Sequence, residues 1–166
     1  MTHAHRIQIK KLITLNPLLA LAANLRESGK KIVWTSGCFD ILHAGHIHYL
    51  EEAREFGDIL VVGLNSDNSV RTLKGNKRPL FTQLNRALVL NAIQYIDYII
   101  IYDEPTSCEI LKRLKPEIYV KGGDYSIHSI DAMEKEIVER NGGHCVILEN
   151  WDGLSTTHII NRIRTM

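Results

Sequence analysis

The amino-acid sequence predicts an α/β protein, a doubly wound parallel sheet of five strands with helices on both faces. Two observations lead to this fold class. Five short apolar runs lack the in-out alternation of a half-exposed strand, which is typical of parallel strands buried on both faces. Stretches with apolar residues three and four positions apart separate these runs, as crossover helices do in a parallel sheet. Ligands of such sheets bind beyond the carboxyl ends of the strands, near a topological switch point.

The predicted elements follow in chain order. The strands cover residues 31–36, 58–65, 96–103, 117–122 and 144–149. Helices are predicted at 46–56, 82–95, 106–114, 131–141 and 155–164. An amphipathic segment at 15–31 comes first, and we expect residues 1–30 to pack as a helical segment on a single domain spanning 1–166.

Helix-end signals support three of these boundaries. Thr106 with Glu109 fits a capping box, in which the side chains at the first turn cap free backbone amides. "NGG" at 141–143 suits a helix C-terminus, where glycine adopts the left-handed conformation. Ser155 fits an N-cap.

Composition limits the classes of partner. The 166-residue chain has 45% hydrophobic residues and a net charge of +1, so it can bury a core and has no overall field for nucleic acid or an anionic membrane. No apolar run approaches the roughly 20 residues of a membrane span, and we expect a cytoplasmic protein. Cys38, Cys108 and Cys145 lack CxxC spacing, which argues against a disulfide framework or a thiolate zinc site.

The junction of the first strand and the next helix, "GCFDILHAGH" at 37–46, has the features of a phosphate site. Gly37 and Gly45 permit a tight backbone and the close approach of a ligand. Free amides at a helix start carry a partial positive charge that binds anions. His43 and His46 add imidazole donors for the same anion.

Two other interpretations of these histidines are open. A zinc site needs a third ligand, but His48 lies about 200° around the helix from His46 at 3.6 residues per turn. Alternatively, the histidines satisfy their hydrogen bonds at a helix start and have no chemical role. The flanking glycines at a strand end favour a phosphate site, and we predict no protein metal ligands.

The same residues resemble a known family. "GCFDILHAGH" is similar to the G-x-F-D-x-x-H-x-G-H signature of the cytidylyltransferase-like nucleotidyltransferases, and "LSTTHII" resembles their second signature. With "VVGLNSDNSVRTLKG", "RPL" and "YVKGGDY", the chain resembles the adenylyltransferase domain of bacterial ADP-heptose synthases over nearly its whole length. The resemblance implies a Rossmann-like fold of the H-x-G-H type. It also implies transfer of AMP from ATP to D-glycero-β-D-manno-heptose 1-phosphate, with release of pyrophosphate.

The resemblance assigns expected roles to residues. His43, His46 and Lys74 match catalytic positions, with Lys74 expected on a loop as a mobile charge that reaches the phosphates. The residues expected to bind nucleotide or phosphate are Gly37, Cys38, Phe39, Gly45, Arg86, Lys121, Gly122, Gly123, Asp124, Ser155, Thr156 and Thr157. Those expected on the substrate side are Asp40, Arg78 and Tyr125.

Several of these residues have a structural alternative. Arg78 and Arg86 fit phosphate binding and loop support equally well. Asp40 suits holding its turn through backbone hydrogen bonds, because an already ionised phosphate needs no base. Gly122 and Gly123 could form a simple turn, although at a strand end they would let a base or sugar approach the backbone.

The implied chemistry requires small-molecule partners, ATP as co-substrate and a sugar 1-phosphate, rather than nucleic acid or membrane. We expect Mg²⁺ as cofactor, bound mainly through the nucleotide phosphates. A separate heptose kinase would have to supply the sugar phosphate, because no kinase-like sequence is present. A homodimer is an open alternative.

Two other functions are weighed. The first is a cytidylyltransferase acting on glycerol 3-phosphate or another small phosphate. Many relatives have arginine where this chain has Ile160, and relatives that make CDP-alcohols often have one where this chain has Asn150 and Trp151; these departures weaken the glycerol assignment. The second is a non-catalytic nucleotide-binding regulatory domain. Retention of His43, His46 and Lys74 argues against the loss of turnover.

Overall fold

A computed structural model describes residues 8–122, 131–149 and 155–166 of the chain. The strands are β1 (Ile32–Gly37), β2 (Ile59–Asn65), β3 (Tyr98–Tyr102), β4 (Ile118–Gly122) and β5 (His144–Leu148). The helices are α1 (Leu15–Glu27), α2 (Ala44–Glu55), α3 (Asp67–Lys74), α4 (Gln83–Asn91), α5 (Cys108–Leu114), α6 (Ala132–Arg140) and α7 (Thr156–Arg164). None of these helices is long and apolar enough to cross a membrane, a finding limited to the described residues.

The five strands form one parallel sheet in the order β3-β2-β1-β4-β5, which confirms the predicted fold class. Every predicted strand is present with its ends shifted by at most two residues. The order reverses direction at β1, because β2 lies on one side of it and β4 on the other. The topological switch point therefore lies between β1 and β4.

Two apolar cores cover the two faces of the sheet. On one face, Leu18 and Ala22 of α1 pack with Leu111 of α5 and Val138 of α6. On the other, α2 and α4 bury the side chains Leu50, Ala53, Ala87 and Leu90. Burial of both faces explains the continuous apolar strands, since neither face of the sheet is left to solvent.

The sheet divides at the carboxyl ends of its central strands. The register of β1 with β2 runs from Ile32 opposite Ile59 to Gly37 opposite Leu64, the full length of β1. The register of β1 with β4 holds only two pairs and stops at Trp34 opposite Tyr119. Beyond this point β1 and β4 separate and open a crevice.

The sequence analysis missed α3. Its sequence "DNSVRTLK" is mostly polar, and only Ser69 and Val70 are buried. Ser66 begins the helix as N-cap, with its hydroxyl accepting a hydrogen bond from the backbone N–H of Ser69 at 3.1 Å. The prediction that Lys74 lies on a loop is therefore wrong, because Lys74 is the last residue of α3.

Several helix boundaries also differ from the prediction. The capping box of Thr106 and Glu109 is not formed, because Ser107 is the N-cap of α5 and its hydroxyl donates instead to the buried carboxylate of Glu134. Helix α4 ends at Asn91 rather than at 95. The predicted N-cap Ser155 is present, accepting a hydrogen bond from the His158 N–H at 3.1 Å.

Candidate active site

A cleft of about 570 Å³ lies at the carboxyl ends of the strands, where β1 and β4 part. The signature segments at 37–46 and 155–157 both contribute to its wall. The predicted site residues that line it are Gly37, Cys38, Phe39, Asp40, His43, Gly45, His46, Lys74, Arg78, Lys121, Gly122, Ser155, Thr156 and Thr157. The structure thus brings together residues that are far apart in the chain.

His43 and His46 lie at the start of α2, with their ring centroids 4.0 Å apart. His43 is the N-cap residue, and its backbone N–H donates to Nδ1 of His46 at 3.4 Å. This hydrogen bond assigns the proton of a neutral His46 ring to Nε2, because Nδ1 acts as acceptor. Nδ1 of His43 is buried and has no hydrogen-bond partner among the described residues.

Both imidazoles are neutral at pH 7 without ligand. Burial, and to a smaller extent the neighbouring His43, lowers the pKa of His46 to about 4. Burial also lowers the pKa of His43. The two rings therefore reach the cleft as neutral hydrogen-bond donors, and a bound polyphosphate would favour their protonation.

The loop between β1 and α2 is held by a buried carboxylate. Asp40 accepts hydrogen bonds from Nε of Arg78 at 2.5 Å and from the backbone N–H groups of Leu80 at 2.8 Å and Phe81 at 3.1 Å. Its side chain is only 1% exposed. These contacts occupy Asp40 with loop support, so the expected substrate-binding role is corrected to a structural one. Arg78 stays at the cleft wall, paired with this carboxylate.

Arg86 lies outside the cleft, which corrects its expected place among the phosphate ligands. Its side chain is 1% exposed, and its guanidinium donates to the carboxylate of Asp67 at 2.8 Å. It also donates to the carbonyl oxygens of Cys38 at 2.5 Å and Phe81 at 3.0 Å. Arg86 therefore connects the loop after β1 with α3 and α4. This agrees with loop support, the alternative to phosphate binding given for Arg86 in the sequence analysis.

Phe39 belongs to the same loop between β1 and α2. It adopts a positive φ of 45°, and its ring lies 3.2 Å from where a Cβ at Gly37 would be. The ring centroid is 5.6 Å from that of His46. Phe39 therefore packs between the end of β1 and the catalytic candidate. Cys38, beside it, has a thiol whose pKa burial raises, which makes it a poor nucleophile.

The β4 side of the cleft is formed by Lys121 and Gly122. Nζ of Lys121 donates to Oγ of Ser36 at 3.0 Å and lies 5.4 Å from the centroid of the Tyr119 ring. Burial lowers the pKa of Lys121. A Cβ at Gly122 would overlap the ring of Tyr49, so this glycine makes space for a side chain of α2. The close approach of a base or sugar at Gly122 stays a prediction.

The first turn of α7 contacts the loop that leads from β1 into α2. The hydroxyl of Thr156 donates to the carbonyl oxygen of Ile41 at 3.2 Å, which joins the second signature to the first. Ser155 caps the helix, and Thr157 is exposed at the cleft wall. The two segments are close enough to share one ligand.

Three expected site residues, Gly123, Asp124 and Tyr125, lie outside the described residues. Over 8–122, 131–149 and 155–166, no group of three or more His, Cys, Asp and Glu side chains is placed to hold a metal ion.

Tyr49 and Glu134 are among the polar residues of the cleft that sequence reasoning missed. The carboxylate of Glu134 accepts hydrogen bonds from the hydroxyls of Ser107 at 2.7 Å and Tyr119 at 2.5 Å. Tyr49 and Glu134 resemble ordinary helix residues in sequence. The only sequence signal for either residue was a polar side chain on the apolar side of a predicted helix.

The fold and the two-sided cleft define an α/β enzyme of nucleotidyl transfer. Residues 34–162 match the family model described as cytidylyltransferase-like. The chain belongs to the cytidylyltransferase-like family, and the resemblance found in the sequence is confirmed.

Individual relatives agree with this assignment. The chain is 47% identical to "Bifunctional protein HldE" of Geotalea uraniireducens over 163 residues, which is 98% of this chain and 33% of that protein. It is also 47% identical to the protein of the same name from Citrifermentans bemidjiense over 161 residues, 97% of this chain and 33% of the relative. The chain thus spans about a third of the length of the curated relatives it matches.

Two solved structures are similar. The lipopolysaccharide core biosynthesis protein of Thermoplasma volcanium has a TM-score of 0.59 and 30% identity, over 74% of this chain and 98% of that one. Pantoate-beta-alanine ligase of Francisella tularensis has a TM-score of 0.58 over 93% of this chain and 78% of that one; at 13% identity it supports the fold alone.

Proposed function

We propose that this nucleotidyltransferase transfers AMP from ATP to D-glycero-β-D-manno-heptose 1-phosphate, giving ADP-heptose and pyrophosphate. The contact of Thr156 with Ile41 is the observation on which the proposal depends, because it joins the first turn of α7 to the loop that leads into α2, and both segments line one cleft. Two helix starts provide backbone amides and hydroxyls for a single polyphosphate. The choice of heptose phosphate as acceptor is supported by the sequence resemblance and by the similarity to relatives named HldE.

The reaction needs no nucleophilic side chain. An ionised oxygen of the sugar phosphate forms a bond to the α-phosphorus of ATP, while the bond from that phosphorus to the bridging oxygen of pyrophosphate breaks. The electron pair leaves with pyrophosphate, and no proton has to move. Catalysis then consists of aligning two anions and stabilising charge on the phosphate oxygens.

The described residues fit these tasks. In this proposal, the neutral imidazoles of His43 and His46 donate to phosphate oxygens in the transition state, inside a cleft where desolvation strengthens each hydrogen bond. Lys74 and Lys121 add positive charge at the cleft wall. Ser155, Thr156 and Thr157 face the same ligand from the opposite side. Mg²⁺ would be held by the nucleotide phosphates, adding charge neutralisation.

Pyrophosphate release should be measured with ATP and CTP, each against heptose 1-phosphate, glycerol 3-phosphate and a panel of other sugar phosphates, with and without Mg²⁺. We expect turnover with ATP and the heptose phosphate only when Mg²⁺ is present. Strong turnover with CTP alone would replace this proposal with a cytidylyltransferase. A matched arm without acceptor excludes simple ATP hydrolysis.

Thermal stabilisation by ATP, combined with the turnover panel, separates an enzyme from a purely regulatory nucleotide-binding domain. ATP at 100 times its dissociation constant adds about 2.7 kcal/mol to the free energy of unfolding. Stabilisation by ATP without turnover on any acceptor of the panel would favour the regulatory alternative.

A further inference from the structure

Tyr49 connects α2 to both sides of the crevice. It lies one helical turn after His46, and its hydroxyl donates to the carbonyl oxygen of Val120 at 3.0 Å. The same hydroxyl is 2.5 Å from Oγ1 of Thr35. A phenol has one hydrogen to donate, and that hydrogen points to the carbonyl, so Thr35 must be the donor to Tyr49. One side chain of α2 thus bonds to β1 and to β4.

These bonds lie where the sheet divides. The pairing of β1 with β4 stops at Trp34 opposite Tyr119, and Thr35 and Val120 are the next residues of each strand. The Tyr49 hydroxyl is therefore inserted at the first position that the ladder no longer joins. It connects the strands across the start of the crevice, in place of direct pairing at that level.

The ring of Tyr49 packs against Gly122. This glycine lies two residues after Val120, so both residues face the same side of the sheet. A Cβ at Gly122 would overlap atoms Cδ2 and Cε2 of the Tyr49 ring. The position of the ring depends on this glycine, which fixes how closely α2 approaches the end of β4.

We propose that Tyr49 is a positioning residue that sets the first turn of α2, and with it His46, at a fixed distance from the β4 wall of the cleft. This inference rests on the proposed nucleotidyl transfer at the same site. His46 and Tyr49 are three residues apart on one helix, so they share a face and move together. A misplacement of about 1 Å can cost on the order of a hundredfold in rate.

The first test is Tyr49→Phe, which retains the ring against Gly122 and removes both hydrogen bonds. We expect kcat to fall about tenfold, while KM for ATP changes less than about twofold, because geometry at the reacting phosphate is lost rather than nucleotide binding. Tyr95→Phe is the matched control: its hydroxyl also bonds to α2, at Glu51, at 2.5 Å, but on the exposed surface. An unchanged kcat in Tyr49→Phe, or a change in KM alone, would overturn the proposal.

The second test is a double-mutant cycle with Gly122→Ala. In the wild-type background the new methyl group should displace Tyr49 and lower kcat by roughly tenfold, whereas in the Tyr49→Ala background it should have almost no further effect. If Gly122 instead serves the close approach of a ligand, the substitution will cost the same in both backgrounds. Equal costs would therefore reject the role of Tyr49.

A third measurement does not depend on the reaction. In the ligand-free protein, NMR titration of the His46 imidazole should give a higher midpoint in Tyr49→Phe than in wild type, because a displaced first turn admits water to the ring. Tyr95→Phe should match wild type. An unchanged His46 titration in Tyr49→Phe would reject the positioning role, whether or not heptose phosphate proves to be the acceptor. A shifted titration in a protein that adenylates no sugar would reject the proposed function alone.

Discussion

The two helix starts that face each other across the cleft are built differently. Helix α2 buries Leu50 and Ala53 in the core, and Tyr49 bonds it to two strands. Helix α7 has no buried residue, and the Thr156 hydroxyl joins its first turn to the loop after β1. The α2 side of the cleft, which we call the α2 wall, is fixed by packing before ligand binds. The α7 side, the α7 wall, depends on polar contacts. A preorganised wall suits stabilisation of the transition state, and a wall with polar contacts suits ligand capture.

The comparison is tested most strongly by His46→Ala. We expect kcat to fall at least 10²-fold, about 2.7 kcal/mol of transition-state stabilisation, with ATP affinity nearly retained. Steady-state kinetics and calorimetric titration of ATP measure the two quantities. His158→Ala, an exposed histidine of α7, controls for the loss of an imidazole and should keep the wild-type kcat. Equal kcat in the two variants would show that the α2 wall is not the catalytic one.

The free energy of unfolding should also depend on pH through His46 in the α2 wall. The folded pKa of His46 is about 4 and the unfolded value is 6.5, so the unfolded chain takes up the proton first as pH falls. The stability from the neutral ring is present above pH 6.5 and is lost as pH falls toward 4. Relative to His46→Gln, which has no titrating ring, the free energy of unfolding of the wild type should fall by roughly 2 kcal/mol from pH 7.5 to pH 5.

Urea unfolding at several pH values measures this difference, and His158→Gln on the exposed part of α7 is the matched control. If His46→Gln and wild type lose stability in parallel over this range, the His46 ring is solvated and the α2 wall is less closed than its packing indicates.

The sequence was sufficient for features that depend on local pattern. The five strands were predictable because burial on both faces requires continuous apolar runs, and the H-x-x-H turn because glycines and histidines concentrate at one strand end. Helix α3 was not predictable from the sequence, because it is mostly polar and a single N-cap, Ser66, begins it. The fitting of Tyr49 against Gly122 was also beyond local pattern, since it depends on contact between distant segments. Arg86 became a supporting residue for the same reason: its three acceptors come from three different segments.

The smallest expected effect belongs to the α7 wall. Thr156→Val retains the shape of the side chain and removes the hydroxyl that donates to Ile41, so the first turn of α7 should be held less well against the loop after β1. We expect kcat/KM for ATP to fall about tenfold, mainly through KM, with kcat within about threefold of wild type. Thr165→Val at the exposed end of the same helix removes a hydroxyl that bonds only within α7, and it should behave as wild type. A fall in kcat as large as that of His46→Ala would mean that the two walls act as one catalytic unit, and the distinction between a catalytic and a capturing wall would be lost.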